Sequence, residues 1–157
     1  MVNLIVAIGR NNIIGQGNKL PWHYKEDMQY FKEITMDKTV IMGEMTFKSI
    51  LSYLNKPLHR RTSVIATLTD YNYPGVEKTN DIIHYLKNYP KDKEIFIIGG
   101  KIIYDLTLDV ADKLYITHID KKYEGDVYFK DIDYSKYRKI SEKISNELNF
   151  SVYERIR

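Results

Sequence analysis

Short apolar runs recur along the chain and predict the strands of one sheet. The continuous runs are typical of strands buried on both faces, and they cover residues 2–9, 39–43, 62–67, 94–100 and 113–119. A short strand is expected around Val76, and the looser alternation of residues 137–144 and 150–156 predicts a closing pair of strands. The first run, apolar and ending in glycine, is expected at the sheet centre.

Helical spacing of apolar residues separates these strands. Tyr24, Met28, Phe31 and Ile34 recur at three- and four-residue steps and predict an amphipathic helix, with Pro21 at its entry. Shorter helices are predicted around three apolar sets, the first capped by Thr46 and the second by Thr79: Ile50 and Leu54; Ile82, Ile83 and Leu86; Ile102, Ile103 and Leu106. Strands alternating with helices predict an α/β fold whose mainly parallel sheet ends in an antiparallel strand.

Length and composition narrow the classes of function. The chain has 157 residues, which is about the size of one domain, so we expect residues 1–157 to form a single domain. No apolar run approaches the ~18 residues of a membrane span, and a net charge of +3 is too weak to indicate a nucleic-acid partner. The amino terminus is predicted to be a strand instead of a signal peptide, so we expect a cytoplasmic protein. Without cysteine, and with four scattered histidines, the sequence predicts no metal site.

One carboxylate lies inside the apolar stripe of the first predicted helix. Asp27 comes three residues after Tyr24 and four before Phe31, so its side chain is expected to point inward. A buried carboxylate is costly unless something binds it, which makes Asp27 a candidate for a functional site. The alternative is an acid that only complements the helix dipole. Trp22, the only tryptophan, is equally explained as a packing anchor.

The glycine pair Gly99-Gly100 follows a buried strand and precedes a helix, an arrangement that suits phosphate binding. A tight turn is the alternative, because the three-glycine dinucleotide fingerprint is absent from the sequence. A Walker-type loop is absent as well, which argues against an ATPase or GTPase.

Several of these blocks together resemble one family. The blocks are Leu20-Pro21-Trp22 followed by Asp27, Phe31 and Thr35; Ile98-Gly99-Gly100 with Tyr104; residues 114–119; and Glu124-Gly125-Asp126 with Phe129. In order and spacing they resemble dihydrofolate reductase over nearly the whole chain. The resemblance implies a three-layer fold, with about eight strands flanked by about four helices. It also implies a monomer that reduces dihydrofolate with NADPH and binds antifolate inhibitors.

The resemblance assigns substrate contacts and catalytic residues. Asp27 would bind the pterin ring through two hydrogen bonds, with Thr117 supporting that edge through a water, and Trp22 and Leu20 would join Asp27 in catalysis. The pterin and aminobenzoyl slot would be lined by Ile5, Ala7, Met28, Phe31, Ile50, Leu58, Ile98 and Tyr104. Arg61 would pair with the carboxylate of the glutamate tail. Because His59 and Arg60 replace the usual Pro and Gly, Arg60 stays an alternative.

The resemblance also assigns cofactor contacts. Those near the nicotinamide are Ala7, Ile14, Gly15, Asn18 and Leu20; those near the phosphates and the rest of the cofactor are Gly43, Met45, Thr46, Thr67, Lys78, Gly99, Gly100, Lys101 and Tyr104. Asp126 would help to hold the loop that bears Leu20. Glu44 and Met45 stand where the family often has basic residues, and Leu68 replaces a small hydroxyl residue. The strength of the preference for NADPH over NADH is therefore left open, although Lys78 or Lys101 would supply part of the missing charge.

Two other functions are weighed against this one. A reductase of the riboflavin pathway shares the fold class, but the Leu-Pro-Trp motif with Asp27 is not expected there. A folate- or nucleotide-binding module without turnover is the second alternative, suggested by Glu44 and Met45.

Overall fold

An eight-stranded sheet forms the centre of the protein. The computed structural model describes residues 1–17 and 20–157. In spatial order the strands are β5 (Glu77–Thr79), β4 (Thr62–Ala66), β3 (Thr39–Gly43), β6 (Ile95–Ile97), β1 (Val2–Ile8), β7 (Lys113–Ile119), β10 (Leu148–Arg155) and β9 (Tyr137–Ser145). A separate two-stranded ribbon pairs β2 (Ile13–Gly15) with β8 (Val127–Tyr128).

The direction of the strands agrees with the prediction from sequence. From β5 to β7 every pairing is parallel, and β10 runs antiparallel to both β7 and β9. The first strand lies between β6 and β7, with Leu4 paired to Ile97 on one side and to Leu114 on the other. Its central position is therefore confirmed, and it explains why this run is apolar on both faces.

Four α-helices within the described residues flank the sheet. They are α1 (Lys25–Thr35), α2 (Glu44–Leu54), α3 (Ile82–Lys87) and α4 (Lys101–Thr107), and two short 3₁₀ turns cover Leu108–Val110 and Tyr134–Lys136. The predicted three-layer α/β fold, with about eight strands and about four helices, is confirmed.

Three predicted helix starts are wrong. The first helix begins at Lys25, not at Pro21, and the second begins directly after Gly43, so that Thr46 is already inside it. The third is capped by Asp81, whose carboxylate accepts a hydrogen bond from the backbone N–H of His84 at 3.1 Å, not by Thr79. The first two helices begin without a side-chain cap, so a good N-cap residue nearby did not decide where they start.

The strand ends determine where a site is built. Because β5, β4, β3, β6, β1 and β7 are parallel, their carboxyl ends meet at one edge of the sheet. Ligands of open α/β sheets bind outside this edge, between the loops and the helix starts that follow the strands.

Candidate active site

The carboxylate of Asp27 lies beside the central strands. The first turn of α1 carries Asp27, and β7 carries Thr117, which is 2% exposed and pairs with Ala7 of β1. The hydroxyl of Thr117 donates a hydrogen bond to Oδ1 of Asp27 at 2.8 Å. Support of the pterin edge by Thr117 through a water stays a prediction, and the structure adds a direct bond between Thr117 and Asp27.

The surroundings favour the protonated form of Asp27. Burial raises the pKa of Asp27 above its usual value, and the hydrogen bond from Thr117 opposes this rise. Burial, with the charges of Tyr115 and Asp27, also raises the pKa of Tyr30 to about 12. A carboxylate with a raised pKa that still has a hydrogen-bond partner is a common feature of acid–base sites.

Trp22 packs in a buried apolar cluster. It is buried, its ring lies 5.2 Å from that of Tyr123, and it shares an apolar cluster with Phe150, against which Ala7 packs. Its indole Nε1 is buried and has no hydrogen-bond partner among the described residues. Packing therefore accounts for the ring of Trp22 but leaves its N–H available to a ligand or a water.

Most of the apolar residues predicted for the substrate slot lie in one cluster. Buried Ile5 packs with the partly buried side chains of Phe31, Ile50, Leu58 and Ile98. Met28 lies outside the cluster and is 56% exposed. Tyr104 is buried, and its hydroxyl donates to the backbone oxygen of Ile5 at 2.8 Å.

The two neighbouring arginines make different contacts. Arg60 forms a two-bond ion pair with Asp37, at 3.0 and 2.6 Å. Arg61 donates to the backbone oxygen of His59 and to the hydroxyl of Thr35 at the end of α1, and burial lowers its pKa. Asp37 thus neutralises Arg60, while the hydrogen bonds of Arg61 within the described part of the chain go to neutral groups.

Glycines bring the ends of β3 and β6 close together. The N–H of Gly43 donates to the backbone oxygen of Gly99 at 2.9 Å, and glycine at the N-cap leaves the first turn of α2 without a side-chain cap. A Cβ built on Gly100 would lie 3.5 Å from the hydroxyl of Thr46, and one on Gly99 would lie 3.1 Å from the ring of Tyr104. Uncapped N–H groups beside side-chain-free backbone fit the pyrophosphate of a dinucleotide.

The other predicted cofactor residues differ in their exposure. Ile14 is buried and lies in β2 next to Gly15, whereas Leu20 and Met45 are exposed, at 61% and 65%. Asn18 lies outside the described residues.

Both predicted lysines already have partners. Lys78 donates to the backbone oxygen of Tyr71 at 3.0 Å. Lys101 pairs with Asp105 at 3.1 Å and donates to the backbone oxygen of Tyr128.

A cluster around Glu44 was missed by sequence reasoning. The carboxylate accepts hydrogen bonds from Thr67 and Thr69, and it forms an ion pair with Lys48. The four-residue spacing of Glu44 and Lys48 was a signal for the ion pair. Leu68 replaces a small hydroxyl residue of the family, and the hydroxyl that joins Thr67 in binding Glu44 is that of Thr69.

The loop before α1 is connected to the ribbon by Asp126. Its carboxylate accepts a hydrogen bond from the N–H of Gly17 at 2.7 Å, and its own N–H donates to the backbone oxygen of Gly15 at 3.2 Å. This is the contact expected for an acid that holds the loop over the site.

A sequence model described as dihydrofolate reductase matches residues 1–155. The chain belongs to the dihydrofolate reductase family. This reductase is 41% identical over 128 residues to the dihydrofolate reductase of Buchnera aphidicola subsp. Schizaphis graminum, covering 82% of this chain and 78% of that protein. It is 34% identical over 163 aligned residues to the Bacillus subtilis dihydrofolate reductase, covering 99% and 95%.

A solved structure shows the same fold. The dihydrofolate reductase from Enterococcus faecalis, complexed with NADP(H) and RAB-propyl, matches with a TM-score of 0.86 and 29% identity, covering 100% of this reductase and 97% of that chain. The reductase therefore converts 7,8-dihydrofolate into 5,6,7,8-tetrahydrofolate with NADPH as the hydride donor. Dihydrofolate and antifolates are ligands of the family.

Two features of the described residues concern membranes and metals. No helix among them is long and apolar enough to cross a membrane. No three of their His, Asp and Glu side chains form a group that would hold a metal ion.

Proposed function

We propose that Asp27 binds the pterin ring and supplies its proton. The observation that carries this proposal is the 2.8 Å hydrogen bond from Thr117 to Asp27 at the carboxyl edge of the central strands. The bond occupies one lone pair of Oδ1, so the carboxylate keeps acceptor sites for two N–H groups of the ring. Bidentate binding of this kind fixes the orientation of the pterin as well as its affinity.

The same residue serves the proton transfer that accompanies reduction. NADPH supplies a hydride to the carbon of the imine bond, and the neighbouring nitrogen gains a proton. Burial raises the pKa of Asp27, so that a proton is held near the ring at a pH where an exposed carboxylate would have lost it. We propose that a water carries the proton to the ring and that the indole N–H of Trp22 holds that water, since Nε1 lacks a partner among the described residues.

We propose the following order of substrate groups along the site. The aminobenzoyl group occupies the cluster of Phe31, Ile50, Leu58 and Ile98. The glutamate tail then reaches Arg61, because Arg60 is already neutralised by Asp37.

We propose a corresponding order for the cofactor. The nicotinamide lies against Ala7, Ile14, Gly15 and Leu20, and the pyrophosphate lies on Gly43, Gly99, Gly100 and the first turn of α2. The uncapped helix start and the closely apposed glycines support this placement.

We further propose that residues 1–157 act as one domain and as a cytoplasmic monomer without nucleic-acid or membrane partners. Strands from both ends of the chain share one sheet, which supports a single domain. Size-exclusion chromatography tests the monomer, and a mass of two chains would contradict it.

The experiment follows the loss of reduced-nicotinamide absorbance with purified protein and dihydrofolate. The wild type is expected to turn over with NADPH, and Asp27→Ala is expected to lose nearly all turnover. Glu26→Gln is the control, because Glu26 lies next to Asp27 in the same helical turn but is exposed and bonds Ser145.

Each outcome separates the candidate functions. Equal turnover in Asp27→Ala and the wild type would remove Asp27 from the mechanism. Tight ligand binding without turnover in the wild type would favour the binding-module alternative. The family match already favours dihydrofolate over the substrate of a riboflavin-pathway reductase.

A further inference from the structure

The strand order sets the direction in which a dinucleotide lies across the sheet edge. The ring that accepts the hydride belongs beside Asp27 and Thr117, at β1 and β7. The pyrophosphate belongs at the ends of β6 and β3, which are the next strands in the order. The adenosine half then continues past the end of β4, where Thr67 and Thr69 follow the strand. This direction rests on the cofactor placement proposed above.

Exposed apolar side chains mark the same region. Leu68, between the two threonines, is 89% exposed, and Met45, next to Glu44, is exposed as well. Large exposed apolar groups of this kind suit contact with a purine ring. The residues around Glu44 are therefore placed to contact the ribose of the adenosine.

Glu44 is held as an anion at this place. Its Oε1 accepts hydrogen bonds from the hydroxyls of Thr67 and Thr69 at 2.7 and 2.6 Å, and its Oε2 pairs with Nζ of Lys48 at 2.6 Å. These contacts, led by Lys48 and then Thr69 and Thr67, lower the pKa of Glu44 to about 2. The side chain is 17% exposed. It is therefore a carboxylate at any pH at which the enzyme works.

Hydroxyl protons are already used within the cluster. The hydroxyl oxygens of Thr67 and Thr69 accept from the N–H groups of Thr69 and Tyr71, at 3.2 and 3.1 Å. Each hydroxyl has a single proton, and the carboxylate of Glu44 is the strongest acceptor in reach. The cluster thus presents lone pairs to a ligand. A ribose 2′-hydroxyl can donate to them, whereas a 2′-phosphate dianion is an acceptor and carries the same sign of charge as Glu44.

The positive charge around Glu44 is small. Lys48 is paired with Glu44 and lies 4.6 Å above the ring of Tyr71, and Lys78 donates to the backbone oxygen of Tyr71. Lys78 has no carboxylate partner among the residues that the structure describes, so its charge remains for a phosphate. A cofactor with a 2′-phosphate can therefore bind here, but with little more affinity than one with a 2′-hydroxyl.

We propose that Glu44 sets the cofactor specificity of this reductase, lowering its preference for the 2′-phosphate so far that NADH is an efficient second hydride donor. Acidic residues hold the ribose 2′-hydroxyl in many NAD-binding sites, and arginine takes the 2′-phosphate in NADP-binding ones. We expect NADH to bind within about tenfold of NADPH.

Calorimetric titration of the wild type and Glu44→Gln tests the proposal. The ligands are NADPH and NADH, together with adenosine 2′,5′-bisphosphate and AMP, which lack nicotinamide and report on this region alone. Removing one charge close to a phosphate dianion is expected to strengthen binding of both 2′-phosphorylated ligands about tenfold. The affinities for NADH and AMP should stay the same or fall slightly. Glu142→Gln is the matched control, because Glu142 also pairs with a lysine, Lys139 at 2.7 Å, but lies on the opposite edge strand.

The ratio of the affinities for NADPH and NADH decides the outcome. A small ratio in the wild type that rises in Glu44→Gln, but not in Glu142→Gln, supports the proposal. A wild-type ratio above about 100, or a ratio that Glu44→Gln leaves unchanged, overturns it. Turnover of dihydrofolate is measured separately, so that loss of the proposed catalytic function is not confused with failure of the specificity proposal.

Discussion

Replacing Thr117 by valine removes the hydroxyl that bonds Asp27 and keeps the shape of the side chain. Thr117 is 2% exposed and lies in β7, where valine is well tolerated. Loss of a hydrogen bond to a charged group costs about 1.5–3 kcal/mol, whereas loss of a neutral one costs about 0.5–1.5 kcal/mol. The cost of the substitution should therefore depend on whether Asp27 is ionised.

The pH dependence follows from the direction of the pKa change. The bond from Thr117 lowers the pKa of Asp27, so its loss raises that pKa further. At a pH above the folded-state pKa of Asp27, the variant lacks a hydrogen bond to a charged carboxylate. At low pH it lacks only a bond to the neutral, protonated group. For a domain of this size, 1 kcal/mol corresponds to about 2–4 °C in melting temperature. We expect a deficit of about 4–8 °C at alkaline pH that shrinks by roughly half in acid.

The assay is thermal unfolding over a pH series, combined with kcat/KM for dihydrofolate over the same series. The fall in activity at high pH should move to higher pH in Thr117→Val, because Asp27 keeps its proton longer. Thr107→Val is the control, since Thr107 is also buried and its hydroxyl donates to a neutral group, the backbone oxygen of Ile103. A deficit that is independent of pH in both variants, with an unmoved activity profile, would refute the reasoning.

Three further predictions concern other parts of the site. Asp27→Asn should raise the melting temperature at neutral pH but not below about pH 3.9. Burial raises the pKa of Asp27, so its ionisation costs folding free energy only above the pKa of the unfolded state. An equal gain in melting temperature at all pH values would contradict this. Gly99→Ala should destabilise the fold by about 1–3 kcal/mol and weaken NADPH binding, since φ is +115° and the new Cβ would lie only 3.1 Å from the ring of Tyr104. Gly75 has a φ of +78° and open space around it, so Gly75→Ala should unfold more easily but bind NADPH normally. Arg61→Lys should raise KM for dihydrofolate about tenfold or more without the same effect in Arg60→Lys, and equal effects in steady-state kinetics would count against Arg61 as the carboxylate partner.

Strand positions were predictable from sequence because buried parallel strands are apolar on both faces. The run at residues 113–119 coincides with β7, and the first run differs from β1 by a single residue. Helix starts were less predictable. Thr46 and Thr79 are good N-cap residues, but α2 begins directly after β3 without a side-chain cap, and α3 is capped by Asp81, an equally good N-cap residue two positions after Thr79.

Asp27 could be selected from its place in the helical stripe, because the periodicity of one helix is enough to orient a side chain. Its direct bond to Thr117 could not, because that contact joins residues 90 positions apart. The Glu44 cluster shows the same limit. The four-residue spacing between Glu44 and Lys48 can be recognised in the sequence. The contact of Thr67 and Thr69 with Glu44 depends on the pairing of β3 with β4.

The position of β1 in the sheet determines how much of the chain must be synthesised before the site can form. This strand is synthesised before its two neighbours, β6 and β7, and the second of these ends at Ile119. Until synthesis has passed Ile119, Asp27 has no Thr117 to bond it, and β1 lacks its neighbour on one side. The entropy cost of bringing β1 and β7 together must be met before their contacts can stabilise the fold. Dihydrofolate and antifolates can therefore bind, and protect from proteolysis, only a chain that has been synthesised beyond β7.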